Sequence, residues 1–138
     1  MPAVEYFFVC RSVQKDISTD EMSFINILED ISPESFPYII PKAIAVSLWN
    51  LQPGEASDDY QATLVVKVPG NPDAPFPMNF SRGVHRCRAI QGVLDIPVNG
   101  PCNIQFEVLL NGVHCATHTV KIHPVGVRES TEGGEQLR

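Results

Sequence analysis

Histidine and cysteine are the residues of this chain with the widest chemical reach. His85 and Cys87 stand two apart, and His114, Cys115, His118 and His123 follow one another near the end. A zinc site needs such donors to converge at about 2.0–2.3 Å, usually on tight loops. Strands do not deliver them that way: His114 and His118 share a face of an extended chain, but at ~3.3 Å of rise per residue they stand about 13 Å apart. The expectation is partly exposed strand histidines and cysteines that fill a core, with no metal and no cofactor. The alternative is a small metal-dependent binding protein or enzyme, which requires His85, Cys87 and a histidine of the last strand to meet in one pocket.

Asp16, Asp20 and Glu21 form one acidic group, and Glu55, Asp58 and Asp59 another. Brought to one end of the domain, they would offer calcium an oxygen-rich loop site. Neither has the regular D-x-[DN]-x-[DN]-G spacing, so solvated carboxylates are the simpler expectation. Cys87 lies between Arg86 and Arg88, whose charges would lower a thiol pKa if they folded around it. On a strand, adjacent side chains point to opposite faces, which separates them. No G-x-S-x-G elbow and no Gly-rich phosphate motif occurs. What remains is the basic cluster Arg82, His85, Arg86 and Arg88, a candidate docking site for a carboxylate-rich partner, against the plainer reading of a solvated basic face.

The chain has 138 residues, room for one domain with its own core. Lys and Arg number 10 against 16 Asp and Glu, a net charge of -6 that argues against a phosphate-binding surface and so against nucleic acid. Apolar residues make up 43%, which excludes disorder for the bulk, and 12 Pro with 9 Gly point to many turns. No run approaches the roughly 20 apolar residues of a membrane span, and Met1-Pro-Ala-Val-Glu does not begin a secretory leader. A cytoplasmic protein is expected, with Cys10, Cys87, Cys102 and Cys115 as reduced thiols.

The elements that must position these groups are strands. Residues 3–13 are apolar on both parities, as a strand covered on both faces would be. Residues 22–28 read as a further strand, and the prolines of 32–37 force a turn after it. Residues 42–51 read as a central strand. Residues 60–68 alternate, with Tyr60, Ala62, Leu64, Val66 and Val68 inward. Phe76, Met78 and Phe80 continue that period, and Pro75 and Pro77 mark an edge. Residues 88–98 put Ile90, Leu94, Ile96 and Val98 inside, and Ile90 and Leu94 with Phe8, Val46, Leu64, Val66, Phe106 and Val108 are expected to be largely buried in the core.

The clearest local signal is Asn111-Gly112 between two apolar-alternating runs, a β-hairpin signature, because both residues tolerate positive φ. The buried sets Ile104, Phe106, Val108, Leu110 and Ala116, Val120, Ile122 conflict with a strict two-residue turn. Either a three-residue loop ending on a left-handed Gly112 or a bulge in the second strand must restore even-with-even pairing. Phe7, Val65, Val93 and Leu109 are left on the outer parity, which suggests a symmetric homodimer that covers them. From residue 126 to 138 there is almost nothing to bury, so that stretch is expected to be a mobile tail.

The Phe8-Val-Cys opening, the stretch Met22-Ser-Phe-Ile-Asn-Ile-Leu-Glu-Asp-Ile, the Phe36-Pro turn and the unit Ile104-Gln-Phe-Glu-Val-Leu-Leu-Asn-Gly resemble a family of small uncharacterised bacterial all-β proteins. The likeness spans most of residues 4–122; it implies a fold and carries over no functional residues. Seven to eight strands with turns about every ten residues are best buried as two antiparallel sheets, an immunoglobulin-like or C2-like β-sandwich over residues 1–125. The functional expectation is a non-catalytic protein-binding or scaffolding module.

Overall fold

The computed structural model describes residues 1–56, 59–81, 83 and 85–125. Among these residues it is an all-β sandwich of nine strands: β1 (Ala3–Lys15), β2 (Met22–Ile27), β3 (Asp30–Ile31), β4 (Tyr38–Asn50), β5 (Ala62–Lys67), β6 (Ala74–Met78), β7 (Arg86–Val98), β8 (Cys102–Leu110) and β9 (Val113–Ile122). One sheet has the order β2-β1-β4-β7 and the other β3-β9-β8-β5-β6. All pairs are antiparallel except β3 with β9. In the four-stranded sheet β1 lies between β2 and β4. No helix among the described residues is long and apolar enough to cross a membrane.

The core lies between the sheets. The five-stranded sheet supplies large side chains, among them Leu64, Ile104, Phe106 and Leu110, all fully buried. Facing them, β4 and β7 supply Ala43, Ala45, Ser47 and Ala89, so small positions receive large ones and the layers interdigitate. Among the described residues Ser47 is the one buried polar residue, and its hydrogen bonds are met: Oγ donates to the Ala89 carbonyl at 3.2 Å and accepts from Trp49 Nε1 at 2.8 Å.

The closing hairpin resolves its register conflict by the second of the two routes. Asn111 (φ 47°) and Gly112 (φ 82°) make a two-residue left-handed turn that pairs Leu110 with Val113. One residue later the register shifts: Leu109 pairs with His114 and Val108 with Ala116, leaving Cys115 as an extra residue. That bulge returns Val120 and Ile122 to the core opposite Ile104 and Cys102. Pro75 and Pro77 do mark an edge, since β6 closes the five-stranded sheet.

β7 departs from its expected parity. Ile90 and Leu94 are exposed, at 37% and 68%, whereas Ala89, Val93, Ile96 and Val98 are buried. The strand changes face at Asp95, whose φ is 55°, and β4 changes face at the same place, since Ile40 and Ala43 both enter the core. Pro41 stands opposite Asp95, and pairing runs unbroken in register on either side, Ile40 with Ile96 and Lys42 with Leu94. The same device recurs at the other edge. Asn26 (φ 58°) on β2 stands opposite Arg11, and Cys10 and Val13 on either side of Arg11 share one face. Period-two reading cannot detect a left-handed residue, and so assigned Ile90 and Leu94 to the wrong side.

Phe106→Ala should cost roughly 3–5 kcal/mol in chemical denaturation, since it empties the centre of the main core; a loss below about 1 kcal/mol would contradict that placement. Asp95→Gly should be neutral or stabilising and Asp95→Val destabilising by about 1–2 kcal/mol, because a β-branched residue is strained at positive φ.

Candidate functional site

The outer face of the four-stranded sheet, turned away from the core, is apolar. Directly opposed residues share a face, so the pairing generates rows across it: Tyr6–Leu48–Arg88, Phe8–Val46–Ile90, and Ile27–Cys10–Ile44–Gly92. Cys10, Ile44, Val46 and Leu48 are buried there although the other sheet lies behind them. Half-buried aromatic rings do the covering. Phe8 packs against Tyr6 at 5.4 Å (stacked) and Phe24 at 4.9 Å (edge-on), favourable geometries that also hold the rings rigid. Val46 is buried as expected and Phe8 half-buried, but both belong to this second cluster and not to the one between the sheets. β1 is thus apolar on both parities for the reason the sequence suggests, with its own side chains rather than another layer as cover.

At Gly92 the surface dips. Nothing lies within 4 Å of the place a Cβ would occupy, and exposed Ile90 and Leu94 flank it along the strand. Phe7 and Val93, the residues from which a dimer patch was inferred, pack with the main core, whereas Val65 and Leu109 are half-buried on the five-stranded sheet.

The described members of the basic cluster lie at one end of the apolar face. Arg86 and Arg88 point to this face from β7, and Arg82 lies outside the described residues. His85 is exposed just before the strand, where its carbonyl accepts from Leu51 N at 2.8 Å. Arg86 donates from Nη2 to Glu5 Oε2 at 3.0 Å and from Nε to Asn50 Oδ1 at 3.5 Å. Arg88 differs: its Nε is shut off from water and has no acceptor among the described residues. Leaving a buried donor unmet costs about 1–3 kcal/mol, more for a charged group. Its main chain is tied down, with Ser81 N donating to the Arg88 carbonyl at 2.8 Å and Arg88 N to Ser81 Oγ at 2.9 Å. Leu48, Ser81, Arg86, Cys87 and Arg88 line a cavity of about 230 Å³.

The histidines are taken up elsewhere. His118 Nε2 donates to the Leu28 carbonyl at 2.6 Å, and His114 Nε2 lies 2.7 Å from Thr117 Oγ1. His123 stands between Ser32 Oγ and Asp30 Oδ1, 3.3 Å from each. Sequence reading missed this Ser-His-Asp row because its members lie 91 residues apart in the chain. Its surroundings are those of a clasp: Lys121 N donates to the Glu29 carbonyl and His123 N to the Ile31 carbonyl, fastening β3 along β9. Pro33 follows Ser32, so the next residue has no N–H for an oxyanion. His85 and Cys87 belong to the β7 side and the other three histidines to β9, and among the described residues no three potential metal ligands converge.

The acidic groups do not share an end. Ala3 pairs with Asn50, so the loop after β4 leaves beside the start of β1, whereas the Asp16–Glu21 turn follows its far end, roughly 40 Å away along the strand. Asp58 lies outside the described residues. Asp16 accepts from Ser18 and Thr19, and these hydrogen bonds hold its carboxyl below the usual range. Glu55 is lowered chiefly by the N-terminal amine, then by the Gln52 amide and the Tyr60 hydroxyl.

All four cysteines are free. Burial raises the thiols of Cys87 and Cys10, so the neighbouring arginines do not activate Cys87, whose side chain lies in the main core. Comparison of the sequence with protein-family models and with curated proteins finds no match.

Titration of the native protein with a thiol reagent at pH 7.5 should label Cys115 first and leave Cys10 and Cys87 unmodified until denaturant is added. Prompt labelling of Cys87 would mean that its thiol is activated.

Proposed function

We propose that this protein is a non-catalytic protein-binding module that docks its partner on the outer face of the four-stranded sheet. The observation that carries the reading is the apolar face itself, in which rigid aromatic rings, a dip at Gly92 and exposed Ile90 and Leu94 stand beside two arginines. Protein interfaces combine these features: an apolar centre with aromatic residues, and Arg at its margin. The chemistry of the occupant follows from charge. The chain carries a net charge of -6, yet this end of the face presents Arg86 and Arg88. The partner is therefore a protein surface with apolar side chains next to an acidic one.

Capture from an extract of the source cells, comparing the wild-type protein with an Ile90→Glu/Leu94→Glu variant, tests this reading. Both positions are exposed, so the fold should survive. At least one retained protein should fall about tenfold or more in the variant, the effect of ~1.4 kcal/mol of lost binding. The same protein should be unaffected by Thr117→Glu on the other sheet. Equal retention by all three proteins overturns the docking face. Light scattering that gives the mass of two chains for the wild type and one for the double variant would make a second copy the occupant instead.

A further inference from the structure

We infer that the cavity beside Arg88 is a binding site for a single carboxylate, supplied by an Asp or Glu side chain of the docked protein. The source of the carboxylate rests on the docking reading above; the site itself rests on its own geometry. Arg88 lines the cavity, its Nε–H is shut off from water and meets no acceptor among the described residues, and no described carboxylate pairs with it. A resting side chain with an unmet donor loses little by turning. Rotation about its own torsions toward the cavity presents Nε–H and one Nη–H side by side, the fork that fits the two oxygens of a carboxylate.

Ser81 completes the site. Its Oγ already accepts from the Arg88 amide at 2.9 Å, which leaves the hydroxyl proton free to donate. That same bond and its companion from Ser81 N to the Arg88 carbonyl fix the hydroxyl relative to the arginine. Leu48 gives the cavity an apolar wall for the methylene carbons of the incoming side chain.

Charge selects the kind of anion. Arg86 is held by Glu5 at 3.0 Å, so Arg86, Arg88 and Glu5 together leave one positive charge. A carboxylate balances it, whereas a phosphate dianion would leave a charge unmet. In the rows of the sheet, Arg88 lies beside Leu48 and Tyr6 and next to Ile90, so the acid enters beside apolar side chains.

The test uses the full chain and the capped peptide N-acetyl-Leu-Asp-Leu-amide, with its Asn counterpart, sodium acetate and inorganic phosphate as comparisons. The readout is the arginine Nε–H resonance of Arg88, assigned by its loss in Arg88→Lys. The Asp peptide should move it saturably and the Asn peptide should not. Ser81→Ala, whose backbone amide spectrum reports whether the fold is intact, should weaken the Asp peptide severalfold. Arg88→Lys, followed through the amides of Ser81 and Cys87, should weaken it about tenfold or more, because an ammonium cannot present the fork. Phosphate binding more tightly than the peptide overturns the choice of carboxylate. Acetate binding without the peptide overturns a protein source, and no movement with any probe overturns the site. Titration without loss of capture in the Ile90→Glu/Leu94→Glu variant would refute the docking face and leave the site standing; the reverse result would do the opposite.

Discussion

A strand at the centre of a sheet that is apolar on both faces must be kept from water twice, and β4 is such a strand. From Ala43 to Trp49 every residue is buried. One face is covered by the opposing sheet, which fits because Ala43, Ala45 and Ser47 leave room for Phe106 and its neighbours. A two-layer sandwich has no third layer for the other face. Ile44, Val46 and Leu48 are instead covered from within their own sheet, by the aromatic rings on β1 and β2 and by the side chains of β7.

The rest of the molecule follows from that arrangement. Rings that cover a sheet from the side expose their own outer surfaces, so burial of β4 creates an apolar exterior instead of removing one. The face changes at Asn26 and Asp95 divide each long strand between two environments, with Cys10 and Val13 outward beyond the Phe7–Val9 stretch and Ile96 inward beyond Leu94. Each change is made in both strands of a pair, so the ladder keeps its register while the side chains exchange sides. β7 consequently carries Ile90 and Leu94 outward in line with Arg86 and Arg88, and apolar and basic groups meet on one surface.

The second sheet is held to the N-terminal strands by polar contacts. β3 is two residues long, too short to hold by its ladder alone, and His118 on β9 and His123 just after it reach to the segment that bears it. These histidines work as hydrogen-bonding struts, and the same duty explains why they do not gather toward His85 and Cys87.

Several features were legible from the residues alone, because they depend on local geometry. Asn111-Gly112 allows a left-handed turn whatever surrounds it, and the clash of buried sets on either side required either a three-residue loop or a bulge, of which the structure takes the bulge at Cys115. Pro75 and Pro77 lack the N–H that an inner strand needs, and β6 is an edge. The alternation of Ala62, Leu64 and Val66 gave the inner face of β5. Other features depend on what stands across the sheet. Asp and Asn tolerate positive φ better than most residues, but they occupy ordinary turns and strands as well, so nothing in the sequence singled out Asp95 and Asn26, and the outward placement of Ile90 and Leu94 waited on the paired turn of two strands. The separation of the acidic groups was set by which end of β1 meets Asn50. Arg86 and Arg88 were recognisable as a basic pair from their spacing. That one would be matched by Glu5 from another strand and the other left without an acceptor among the described residues was decided only when β1, β4 and β7 came together, since pairing between charges far apart in sequence is a property of the packed sheet.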